Sequence, residues 1–210
     1  GYGIRVSYYY AHDDDIIMGG GSALDQLRHQ EAHYTLVAGN TDIVSTFNQF
    51  YAGIERANNC IYYIPKMPQY SETGTTADNI ELRRMLGEAL TIRAQYYFEL
   101  MRLWGDVPAQ WVPSAFVPDL FPKRTSRDTI YAHILNDLAI AKGLMPWRTA
   151  VTQDERFTKG SAMALRAKAA LFAGGYSTSI TGTISRPANY LTFYQIAKDE
   201  CWEIMQNRAQ

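Results

Sequence analysis

Residues 78–104 carry an unbroken helical repeat, which all but commits the chain to packing helix on helix. Leu82, Leu86, Ala89, Arg93, Tyr96 with Tyr97, Leu100 and Trp104 recur at steps of three and four, the spacing of one face of an α-helix. Gly105 follows, a residue that can close a last turn in the left-handed region without a Cβ penalty, and Pro108 blocks any restart. A helix of this length with so broad an apolar face has to bury it against other helices. Nothing in the stretch looks catalytic.

Four further segments show the same period. Residues 43–64 place Phe47, Phe50, Tyr51, Ile54, Ala57 and Ile61 on one face and end at Pro65. Residues 126–143 offer Ser126 as an N-cap, then Ile130, Ile134, Leu138 and Ala141, with Gly143 just past the end. Residues 161–173 halt at Gly174-Gly175, and residues 191–207 carry Tyr194, Ala197, Cys201, Ile204 and Met205. Strand-like alternation is confined to residues 4–10. The expected fold class is therefore all-α, in one domain over residues 1–210, with the 78–104 helix central and paired against 126–143.

The sequence also echoes itself. Gly87-x-Ala89-x-x-x-Arg93-Ala94 returns as Gly160-x-Ala162-x-x-x-Arg166-Ala167, an offset of 73 residues from Arg93 to Arg166. In both copies the centre of a second helix follows, about 40 residues on, which is the grammar of tetratricopeptide-type helical hairpins with enlarged loops. Chance likeness between two Ala-rich helices is the alternative. Long connections separate the helices. Residues 65–78 break periodicity, and residues 176–188 are rich in Ser, Thr and Gly, as a surface loop would be. Residues 107–125 hold Pro108, Pro113, Pro118 and Pro122 among Trp111, Phe116 and Phe121, so this loop should be stiff and should present its aromatics.

Composition removes several functions. With 20 Lys+Arg against 21 Asp+Glu, the chain has no electrostatic footprint for nucleic acid and no polybasic run for an anionic membrane. Its apolar runs fall well short of the roughly 18 residues a spanning helix needs. Cys60 and Cys201 each fall within a helical apolar pattern, which predicts buried free thiols, a bridge between them in an oxidising compartment being the alternative. No nucleotide loop is present, since Gly19-Gly20-Gly21 lacks both the GxGxxG spacing and the Lys of a phosphate loop, and no cofactor is expected.

Polar density concentrates in residues 11–40. His29 and His33 are four apart, so a helix would put both on one face as a metal site requires, and Asp13, Asp14 and Asp15 lie upstream. The order is HQEAH rather than HExxH, which displaces the general-base Glu of a zinc protease, and the triple Asp lacks the ligand spacing of an EF-hand. Two solvent-facing histidines and an acidic turn explain the same residues. Arg93 sits on a packed face, where a cation is tolerated only when paired, with Glu88, Asp106 and Asp137 as the available carboxylates. Aromatics make up 13% of the chain. Most fall at helical spacing and read as core. Tyr8, Tyr9, Tyr10, Tyr34, Trp111, Phe116 and Trp147 lie outside the helices and could offer flat faces to sugar rings.

Several of these stretches together resemble the SusD/RagB family. They are Tyr51-Ala-Gly-Ile-x-x-Ala-Asn58-Asn59, then Gly87-Glu-Ala with Arg93-Ala94, Tyr96-Tyr97 and Gly105-Asp-Val-Pro108, then Arg127-Asp128 with Asp137-Leu138, the Gly160 helix and Tyr194-x-x-Ala197. They occur in the family's order over roughly residues 13–205. The resemblance implies an N-terminal half of a nutrient-capturing lipoprotein of the Bacteroidetes outer-membrane surface. Its signal and lipid-anchor region would lie upstream, and its C-terminal half would be absent. It further implies tetratricopeptide-like hairpins, no catalysis, and a TonB-dependent outer-membrane transporter of the SusC type as partner.

In the family, a loop after an early Asp pair supplies aromatic, Arg and Asn side chains to a shallow glycan platform. The positions that match here are Asp14, Arg28, Tyr34 and Asn40. No Trp precedes Trp104, so the tryptophan stacking of starch-binding members is not reproduced, which argues against starch. Two other readings stand beside glycan capture. One is a helical-repeat scaffold for peptides, and the other is a metal-dependent enzyme using His29 and His33.

Overall fold

The computed structural model describes residue 30 and residues 35–151, 155–178 and 182–207. Five α-helices organise them: α1 Thr41–Tyr63, α2 Ala77–Trp104, α3 Arg127–Leu144, α4 Lys159–Ala173 and α5 Tyr190–Gln206. The strands among the described residues are two-residue pieces in two antiparallel hairpins. β1 (Val107–Pro108) pairs with β2 (Arg124–Thr125), and β3 (Ser177–Thr178) with β4 (Ile184–Ser185). The all-α expectation holds. The short alternation near residues 4–10 lies outside the described residues. The chain divides into two compact units, residues 1–51 and 52–210.

In the second unit each helix packs on its sequence neighbour: α2 on α3, α3 on α4 and α4 on α5. The core runs along these seams through Leu86, Ala94, Phe98 and Leu100 of α2, Ile130, Ile134 and Leu138 of α3, and Ala162, Met163 and Ala170 of α4. Small residues set the spacing. A Cβ on Gly53 of α1 would lie 2.2 Å from the Tyr96 ring of α2, so the aromatic passes over bare backbone.

The helix ends follow local chemistry. Thr76 and Ser126 accept from the backbone N–H of Asn79 and Thr129, and Thr158 forms a reciprocal capping box with Ser161. Gly105 ends α2 as expected, with φ 70° and ψ −131°, a positive-φ conformation that favours glycine but lies outside the αL region. Gly143 does not end α3, which continues to Leu144 and closes with a bond from Met145 N–H to Ala141 O. Cys60 and Cys201 also depart from expectation. Both are exposed free thiols, since the buried stripe of α1 turns past Cys60 and α5 buries only Ala197 and Glu200.

The sequence echo has a physical counterpart. Arg93 on α2 reaches Asp137 on α3, and Arg166 on α4 reaches Glu200 on α5. Each hairpin thus ties its first helix to its second through an Arg–carboxylate pair.

Candidate functional site

Residues 107–125 leave the top of α2 and return to α3 as a loop closed at its neck by the β1–β2 pair, with Val107 opposite Thr125. Prolines deny the loop most of its own ladder, so helices supply the partners for its backbone. Arg93 lies at the centre. Its Nε and Nη2 donate to the two Asp137 carboxylate oxygens at 2.8 Å each, while Nη1 donates to Asn58 Oδ1 and Trp111 O at 2.9 Å. Asn58 turns its Nδ2 to the carbonyls of Gln110 at 3.1 Å and Val112 at 3.2 Å. The Tyr97 hydroxyl donates to Gln110 O at 2.8 Å and accepts from Gln110 N–H at 2.7 Å. Glu55 on α1 accepts from the Ser114 N–H at 3.0 Å and its hydroxyl at 2.8 Å.

This network is structural. Arg93 is 5% exposed and Asp137 3%, so the pair survives in the core because each guanidinium nitrogen and each carboxylate oxygen has a hydrogen-bond partner. Asp137 is the partner chosen from the three carboxylates. Glu88 instead binds Arg84 and Arg156, and Asp106 accepts from the Arg127 N–H at the start of α3. Burial pushes the Tyr97 phenol up to about 12, which keeps it the donor that the Gln110 carbonyl needs.

The aromatics of the loop are unequally available. Trp111 stacks on His133 at 4.0 Å with a 12° interplanar angle and also contacts Tyr97, so its ring is largely spent within the fold. Phe116 lies against Tyr62, whose ring also carries the Lys66 ammonium. Phe121 is 90% exposed at the loop tip. Trp147 sits beneath Lys159. Burial lowers the pKa of His133, against the pull of Asp137.

Of the residues expected to hold a ligand, Asn40 is described. It is buried and caps α1, its Oδ1 accepting from Asp42 and Ile43 N–H while Nδ2 donates to Gln30 Oε1. Asp14, Arg28 and Tyr34 lie outside the described residues, as do His29, His33, Tyr8, Tyr9 and Tyr10. No group of three or more potential metal ligands occurs among the described residues. Glu55, Asn58 and Tyr97 were not singled out from sequence for what they do. Asn58 and Tyr97 fall within the family-like stretches, but spacing alone could not show that their polar atoms grip a distant loop.

A family model described as starch-binding associating with outer membrane matches residues 8–171. The chain belongs to the SusD-like family. A SusD-like protein P38 of Formosa agariphila is 30% identical over 140 residues, covering 66% of this chain and 25% of that protein. Among solved structures, a laminarin-binding SusD-like protein is 30% identical with a TM-score of 0.69, over 83% of this chain and 36% of its own. A SusD homologue of Bacteroides thetaiotaomicron has a TM-score of 0.75 at 22% identity, over 95% of this chain and 37% of its own, and so speaks for the fold. This SusD-like chain spans a quarter to about two-fifths of the length of these relatives. No helix among its described residues is long and apolar enough to cross a membrane.

Proposed function

We propose that this protein captures glycans at the cell surface without catalysis and delivers them to a TonB-dependent outer-membrane transporter. On this reading it is a lipoprotein held to the outer membrane through a lipid anchor upstream of residue 1. The observation that carries the reading is family membership across residues 8–171, joined to 30% identity with a laminarin-binding relative. The proposed platform is the loop of residues 12–40. Tyr34 stacks on a sugar ring and Arg28 and Asp14 bond sugar hydroxyls, while Asn40, buried and spent on the α1 cap and Gln30, is set aside as a ligand contact.

Binding of this kind is shallow and modest, because each neutral hydrogen bond replaces one to water for a net of about 1 kcal/mol. The test is calorimetry of full-length wild type and Tyr34→Ala against a glycan panel that includes laminarin. Tyr34→Ala is expected to weaken oligosaccharide binding and leave the melting temperature nearly unchanged. Undiminished binding would remove Tyr34 from the site, and a lowered melting temperature would make it a packing residue.

A further inference from the structure

The loop of residues 107–125 carries an apolar tip. Leu120 is 61% exposed and Phe121 90%, whereas Phe116 of the same loop leans on Tyr62. Single exposed apolar side chains need no explanation. These two are adjacent, and the polar groups around them follow a pattern.

Pro118 and Pro122 flank the tip and carry no N–H, and the Phe121 N–H donates to Asp119 Oδ1 at 2.8 Å. The backbone beside the ring thus has few donors left to lose from water, as entry into a lipid interface demands. A protein partner commonly bonds a loop through such donors, so their removal favours lipid. Lys123 and Arg124 follow at once, both exposed and without an ion pair among the described residues. Asp119 is the one acid in residues 115–125, so the charge beside the tip is net positive and suits lipid phosphates. Asn58, Arg93, Tyr97 and Glu55 already fix the root of the loop, which leaves little ordering to be done on binding.

We infer that Leu120 and Phe121 insert into the headgroup boundary of a lipid bilayer, with Lys123 and Arg124 on the lipid phosphates. Two cations are too few to hold a membrane by charge. The apolar pair therefore carries the attachment, and the cations set a preference for anionic lipid. Such contact is shallow and reversible. The inference goes beyond glycan capture and rests neither on it nor on an anchor upstream of residue 1.

Flotation of the full chain with vesicles tests it, using phosphatidylcholine alone and mixed with an equal amount of phosphatidylglycerol. Binding to both is expected, tighter on the mixed vesicles, with that advantage weakened by salt. Phe121→Ser should lower the partition coefficient on both by at least about tenfold, for the transfer of one aromatic ring. Lys123→Gln combined with Arg124→Gln should remove only the preference for anionic vesicles. Because the Phe121 ring stands in water, Phe121→Ser should melt as wild type does. Phe121→Trp reports depth, since its added fluorescence should shift to the blue and be quenched by brominated lipid. No binding to either vesicle, a lowered melting temperature for Phe121→Ser, or an added tryptophan signal that stays in water would each overturn the proposal. So would a Phe121→Ser variant that floats like wild type, and if it also lost a co-purifying protein the tip would be a protein anchor instead.

Discussion

At the scale of single residues, the second unit is held by full satisfaction of a few polar groups inside an apolar seam. Leu100 has no exposed surface. Leu100→Asp is expected to cost about 4 kcal/mol, measured by denaturant unfolding, because a charge would be buried unpaired. His133 supplies a subtler test. Its folded-state pKa lies below the ordinary value of 6.5, chiefly through burial on the Trp111 ring. The unfolded chain therefore binds this proton more readily than the folded one. The stability linked to this group is present above about pH 6.5 and is lost as the pH falls through that value and then through the lowered one. His133→Phe keeps a flat ring without the proton. Its melting temperature should drop less than that of wild type between pH 8 and pH 5, and parallel pH profiles would contradict the assignment.

At the scale of elements, the 107–125 loop is stiffened by prolines but positioned by helices. Glu55 is its outer clamp, receiving Ser114 through both backbone and side chain and Gln110 through its amide. Glu55→Ala should speed limited proteolysis within residues 107–125 while costing the fold only about 1 kcal/mol, as expected for a few partly exposed hydrogen bonds. Unchanged proteolysis would mean that the inner frame suffices alone. The elements themselves were legible from sequence. All five helices follow from apolar spacing and caps, because period and capping are local properties. Presentation of the loop aromatics was legible only in part. Proline content predicts an extended path, but whether a ring faces solvent depends on what lies across from it. For Trp111 that is His133, far away in sequence.

At the scale of the molecule, the repeat was visible because both hairpins tie their helices through an Arg–carboxylate pair, which places Arg93 and Arg166 at corresponding points. The pairing of Arg93 with Asp137 was one of three sequence options, and distance in space selected it. The ligand chemistry proposed for residues 12–40 could not be read from periodicity, since the sequence there shows none. Its reading rests on likeness to relatives. The frame around Arg93 has a different bearing on the molecule's history. Asn58, Arg93 and Tyr97 hold residues 110–112 by main-chain atoms, whatever side chains those residues carry. A support that grips backbone is indifferent to the sequence beyond it. Residues 115–123 can thus be exchanged almost wholesale, by evolution or by grafting, and the replacement will be delivered to the same place on the same scaffold.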